Sequence, residues 1–267
     1  MTFAITIFSS AFLLFQVQPI IAKFILPWYG GSPAVWSTCM LFFQVGLLIG
    51  YVYAHLLACY VKARDQFFLH AGLLILSLTF LPITPDDALK PDGGGDPILE
   101  IIWLLILTVG TPYILISSTG PLLQHWFNRR YADRSPYRLY ALSNLGSLLG
   151  LLTYPFLIEP TVALGSQANF WSVGYLLFVG TCIWSGSSLF NENTTIRSQP
   201  DDRKKPVNTM NKLDPLIWVG LATCGSIMLL AVTSKITQEF FVIPVLWVLP
   251  LSLYLCTFII AFDSPKW

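Results

Sequence analysis

Apolar residues in this chain come in long unbroken runs separated by short polar connectors. A helix that crosses a bilayer needs about 20 mostly apolar residues, because each adds 1.5 Å against a hydrocarbon core of roughly 30 Å. On that measure the pattern predicts eight spans, at 2–21, 34–57, 67–83, 97–118, 136–158, 166–184, 216–233 and 240–262. The first two are joined by the connector LPWYGGSPAVW, and the first is read as a retained helix without the basic leader of a cleavable signal peptide. Closed barrels also cross membranes, but their strands alternate apolar and polar residues. Runs such as ILEIIWLLILTVG do not alternate. The expected fold class is therefore all-α, a polytopic helical membrane protein.

The segment from Gly186 to Asp214 breaks the pattern, being rich in Asn, Ser, Thr and charge. It has too little apolar surface to fold alone. The expected organisation is a six-helix bundle over 1–185, a polar linker over 186–214 and two further helices over 215–267. A formal glycosylation acceptor, Asn193-Thr194-Thr195, falls in this linker on the expected cytoplasmic side and is read as chance.

Composition agrees with lipid as the solvent. The chain of 267 residues is 55% hydrophobic and 11% charged, and its mean hydropathy is +0.66. Soluble domains carry about 25% charged residues. The net charge of +1 gives no sign of a nucleic-acid partner. Of the 15 Lys and Arg residues, all but Lys23, Lys90 and Lys235 fall in connections on one side. The excess of basic residues marks the cytoplasmic side, so both termini are expected there. The opposite connection, TPDDALKPDGGGDP, is acidic, and its Gly93-Gly94-Gly95 run lacks the strand and Lys of a phosphate loop. The five cysteines are scattered without metal-ligand or disulfide spacing. With no nucleophile–base pair in view either, no metal, no cofactor and no catalytic residue is expected.

Several polar residues interrupt the apolar spans. Gln16 and Lys23 lie on one face of the first helix; Gln18 points elsewhere. Gln44, Leu48, Tyr51 and His55 form one stripe of the second, and Tyr140, Asn144, Ser147 and Tyr154 one stripe of the fifth. Gly46 and Gly50, like Gly146 and Gly150, form GxxxG steps that let a neighbouring helix approach closely. Two readings stand open: a polar cavity between helices 1, 2 and 5, lined by Gln16, Gln44, Tyr51, Tyr140 and Asn144, or simple interhelical hydrogen bonding. His55 fits an interfacial role. Lys23 and Glu159, at one end of the bundle, read as an outer gate or as side chains reaching for the interface. Arg129 and Arg130, in the loop expected between helices 4 and 5, read as contacts to anionic headgroups or as a docking point for a cytoplasmic partner.

Lys23 and Pro33-Ala34-Val35-Trp36 have a spaced counterpart in Lys235 and Pro244-Val245-Leu246-Trp247. This suggests a parallel duplication of the major-facilitator kind. Two longer strings, QPIIAKFILPWYGGSPAVWSTCMLFFQ (18–44) and SPYRLYALSNLGSLLGLLTYPFLIEP (135–160), resemble signatures of a bacterial family. In that family a major-facilitator-like membrane domain is fused to a spermidine-synthase-like domain. The terminal IIAFDSPKW (259–267) resembles the point where its members continue into further helices. The resemblance implies a bacterial inner-membrane location and a polyamine-related, aminopropyltransferase-like partner. No strand–Gly–helix unit of that partner is present in this sequence, so none of its catalytic residues can be placed here. The resemblance thus implies a membrane domain that binds, transports or anchors for the partner. The alternatives are a stand-alone secondary transporter of a small metabolite and a structural membrane subunit.

Overall fold

Backbone N–H and C=O groups placed in hydrocarbon have no water to bond, and a helix satisfies them within one segment. The computed structural model describes residues 2–30, 32–91, 94–131, 137–187, 213–239 and 248–263, and among these there are helices and no strand. The chain runs through α1 (Thr2–Tyr29), α2 (Pro33–Tyr60) and α3 (Ala63–Ser77, continued by the 3₁₀ turn Leu78–Phe80). Next come α4 (Pro97–Arg130) and α5 (Tyr137–Thr161), each with one π turn, at Ile106–Gly110 and Tyr154–Ile158. They are followed by α6 (Leu164–Ser187), α7 (Asp214–Glu239) and α8 (Val248–Asp263). Local chemistry sets several starts. Ser32 accepts from Val35 N at 3.4 Å with Pro33 in the first turn of α2, and Asp96 accepts from Ile98 N at 2.9 Å ahead of Pro97 in α4.

Among the described residues, five helical segments are long and apolar enough to cross a membrane: α1, α2, α4, α5 and Leu216–Thr233 within α7. The other three helices depart from the expected spans for distinct reasons. The α-helical part of α3 has only 15 residues and α8 only 16, whereas α6 has 24 but intersperses Gln167, Asn169, Ser172 and Thr181 among its apolar residues. Helix ends also differ from the expectation. α1 runs past Ile21 to Tyr29, and α4 past Ser118 to Arg130, so Arg129 and Arg130 lie in a last helical turn instead of a loop. The linker from residue 188 to 212, with its Asn193 acceptor, lies outside the described residues. So do Gly93, the Pro244–Trp247 motif and the last four residues, 264–267.

The chain divides into two compact units, Met1–Leu189 with Leu255–Trp267, and Phe190–Tyr254. The first holds α1 to α6, whose connections alternate between an acidic-loop end (after α1, α3 and α5) and a basic-loop end (after α2 and α4). Its packing repeats itself with the halves exchanged. α1 packs most extensively on α5 and then on α6; α4 packs most extensively on α2 and also on α3; α1 meets α4, and α3 meets α6. Exchanging α1–α3 with α4–α6 maps this scheme onto itself, and because α1 and α4 run in opposite directions, the two halves are inverted relative to each other.

Residues follow the same exchange. Numbers shift by 100 between α2 and α5, pairing Gln44-x-Gly46-x-x-x-Gly50 with Asn144-x-Gly146-x-x-x-Gly150. They shift by 102 between α1 and α4, which pairs Pro19 with Pro121 but leaves Pro27 and Pro112 without counterparts. They shift by 101 at the starts of α3 and α6. There Gln66 Nε2 donates to Val61 O at 2.8 Å, and Gln167 Nε2 donates to Val162 O at 2.7 Å. The carbonyl of each glutamine accepts from an aromatic side chain, Gln66 from Trp126 Nε1 at 2.8 Å and Gln167 from the Tyr154 hydroxyl at 3.1 Å. Each amide thus staples the turn before its helix to the core. At the centre, Ser77 of α3 and Tyr175 of α6 share a hydrogen bond of 2.6 Å.

The glycine steps are where the two halves meet each other. A Cβ on Gly146 or Gly150 would lie 2.6 Å from Phe8 O or 2.8 Å from Phe12 O of α1. On Gly50 it would lie 2.7 Å from Ile114 O of α4, and nearer still to the Ser117 hydroxyl. Backbone cannot yield as a flexible side chain does. Gly50→Val and Gly150→Val are each expected to destabilise the bundle by about 2 kcal/mol, in the range of overpacked cores. Gly180→Val, where an added Cβ meets nothing within 4 Å, is expected to cost well under half of that. Thermal unfolding in detergent, followed by size-exclusion chromatography, measures all three.

Candidate functional site

The site grows from one buried phenol. Tyr113, in the middle of α4, is 1% exposed. Its ring sits against Phe43 at a centroid distance of 4.9 Å, in the space that Gly46 leaves open. A buried hydroxyl needs a partner, and Gln18 of α1 provides one, its Nε2 donating to Tyr113 Oη at 3.3 Å. The Tyr51 hydroxyl of α2 lies within electrostatic reach of Tyr113 and of Tyr140 on α5. Tyr140 is half exposed and stacks on Phe262 of α8 at 5.4 Å. Asn144, one turn along α5, donates from Nδ2 to Tyr140 O at 2.9 Å. Gln44 of α2, at the repeat-equivalent position, is exposed and has no hydrogen-bond partner among the described residues.

Gln18, Gln44, Tyr51, Tyr113, Tyr140 and Asn144 therefore belong to one side of the six-helix unit. Amides and phenols both donate and accept hydrogen bonds. None of the six is charged. The residues next to the two outer amides behave differently: Val45, Ile49, Val52 and Leu56 on α2, and Leu145, Leu149 and Phe156 on α5, are exposed and apolar. A one-residue step turns about 100° around a helix. On α2 the exposed side mixes Gln44 and Tyr51 with Leu41 and Leu48, which are 56% and 62% exposed. On α5 the stripe of Tyr140 and Asn144 continues into the buried Ser147 and Tyr154.

Gln16 has another role. It is buried, and its Nε2 donates to Gly150 O at 3.3 Å and to Thr153 Oγ1 at 3.0 Å, joining α1 to α5 at the glycine contact. Gln18, which the stripe reasoning set aside, is the α1 residue that reaches Tyr113. The sequence held one signal for it: the polar residue stands directly before Pro19, where the helix loses a backbone hydrogen bond and strict periodicity fails.

At the acidic-loop end Lys23 and Glu159 form an ion pair, with the Lys23 ammonium 6.0 Å from the centre of the Tyr154 ring. Their side chains are 34% and 41% exposed. Pairs this open contribute about 0–1 kcal/mol, enough to bias a contact and too little to lock it. The repeat shifts carry Lys23 to His125 and Glu159 to Cys59, so the opposite end has no carboxylate in the equivalent place. Cys59 instead lies 3.7 Å from His55 Nε2 on an exposed part of α2. Arg129 and Arg130 are exposed, and the Arg130 guanidinium rests over the Tyr131 ring at 5.6 Å. Among the described residues no cluster of three or more His, Cys, Asp or Glu has the makings of a metal site.

The two glutamines of α1 and α2 predict opposite outcomes. Gln16→Leu removes bonds between helices and is expected to lower the stability of the detergent-solubilised protein by about 1 kcal/mol, near the upper range for interhelical hydrogen bonds in membranes. Gln44→Leu removes no bond and is expected to leave stability unchanged or slightly raised. Parallel melting curves of the two variants measure the difference. Compared with protein-family models, curated proteins and solved structures, the chain matches none.

Proposed function

We propose that α1 to α6 form one major-facilitator-like half and that its polar side is a water-exposed surface for a small solute. The observation that carries this reading is the pairing of Gln44 with Asn144. Two inverted halves place an amide at the same position, two residues before their glycine step, on sides that also carry Tyr51 and Tyr140. Amides facing hydrocarbon are costly. Two of them at matched positions fit a surface that faces water or solute better than one that faces lipid. Inverted three-helix halves nested within a six-helix unit are the plan of major facilitators, and the exchange seen in the packing supports it.

The resemblance of 18–44 and 135–160 to the fused family adds a spermidine-synthase-like partner to this proposal. A protonated polyamine calls for carboxylates inside the membrane, and the polar side has none among its six groups. An uncharged solute rich in hydroxyl or amide groups fits it better. Lys23 of α1 and Glu159 of α5 pair at the acidic-loop end of the same unit. A second reading, a membrane anchor for a soluble partner, draws on the exposed Arg129 and Arg130.

Cysteine accessibility tests the surface whatever the solute is. In a variant whose five native cysteines are replaced, Gln44→Cys and Asn144→Cys are expected to react with a membrane-impermeant maleimide at least about tenfold faster than Val45→Cys and Leu145→Cys. The reason is that a thiol in hydrocarbon does not ionise. Equal, slow labelling at all four positions would show that all four face lipid and would reject the proposal.

A further inference from the structure

The acidic connection before α4 and the first turns of that helix surround a depression of about 460 Å³. That is the size of a small-molecule site. Its walls include Leu99, Leu104 and two aromatic rings, Tyr29 from the end of α1 and Trp103 from α4. Three charged side chains line it: Lys90, Asp96 and Glu100. Their commitments differ. Lys90 is paired with Asp87 at 2.8 Å and lies 5.4 Å from the centre of the Trp28 ring. Asp96 uses its Oδ1 to cap α4. Glu100 is half buried, faces the Tyr29 phenol, and has no cationic partner among the described residues. Gly95 makes room for it: a Cβ there would fall 3.1 Å from Glu100 Cδ and closer still to its Oε1.

We propose that this depression binds a small organic cation, a primary or substituted ammonium carrying an apolar tail, between the Glu100 carboxylate and the Trp103 ring. An aromatic face together with a carboxylate is the chemistry that holds an ammonium. The same connection already holds one in that manner, since Lys90 sits between Asp87 and Trp28. A hard metal ion is the poorer fit, because it asks for six or more oxygen ligands, whereas this depression is walled largely by carbon. The site lies at the acidic-loop end and is independent of the polar side formed by Gln44 and Asn144.

Saturation-transfer NMR on the full chain in phosphatidylcholine nanodiscs tests the assignment with butylammonium as probe and butyrate as the matched anion. Saturable transfer to butylammonium and none to butyrate is expected. Glu100→Gln and Trp103→Leu should each weaken binding at least about tenfold, while Lys90→Met should strengthen it by removing a like charge. Gln44→Leu should leave it unchanged. Equal transfer to both probes, or unaltered binding in both Glu100→Gln and Trp103→Leu, overturns the proposal. Loss of binding in Gln44→Leu alone would move the cation to the polar side and equally overturn it.

Discussion

The approach of helix backbones at the two glycine steps is the constraint on which the rest of the six-helix unit depends. In lipid no hydrophobic effect drives helices together, so association relies on close packing and hydrogen bonds. Gly146 and Gly150 bring α5 against the carbonyls of Phe8 and Phe12, and Gly50 brings α2 against Ile114. Once α5 lies that close to α1, Gln16 can reach Gly150 O; once α2 lies that close to α4, the Tyr113 ring fills the space over Gly46. The glycines therefore position both the structural amide and the buried phenol of the candidate site.

Most polar groups inside the unit fall into two populations; His70 and His125 stand apart, each with a buried Nε2 that has no partner among the described residues. One is fully occupied by the fold: Gln66 and Gln167 staple the turns before α3 and α6, and Ser77 bonds Tyr175. Thr6 and Ser185 form another such pair at 3.0 Å, and Gln16 bridges α1 to α5. The other is incompletely satisfied and faces outward, with Gln44 as its clearest member. Buried polar groups without partners are costly, so the first population reads as architecture. The second is what a surface facing water, a solute or a partner would carry. Sequence periodicity cannot separate them, since both place an amide within an apolar helix.

The acidic-loop end gathers the remaining chemistry. Lys23 and Glu159 pair there, and Lys90 lies over Trp28. Glu100 sits in the hollow that Gly95 leaves. Single surface pairs contribute little to stability, so these charges bear on access and binding more than on holding the bundle together.

The order of apolar and polar residues is enough to make the described chain helical and to give several of its helices the length to cross a membrane. Long apolar runs with few charges leave the backbone no other economical arrangement in hydrocarbon. The same order locates the glycine steps and brings Lys23 and Glu159 to one end. It puts the ends of α1 and α4 too early, because Lys23, His125 and Arg129 read as loop polarity although a helix tolerates such residues where it emerges from the apolar layer. The inverted repeat escapes a linear reading because its matches are spread thinly, a Pro in α1 and α4, an amide and two glycines in α2 and α5, a Gln in α3 and α6. They become equivalent only when the packing shows which helices exchange. The assignment of Gln16 to the α1–α5 contact and of Gln18 to Tyr113 likewise comes from the packed helices and from nothing earlier. The two amides are separated by one residue on a single helix, and which neighbour each meets depends on how closely the glycines let that neighbour approach.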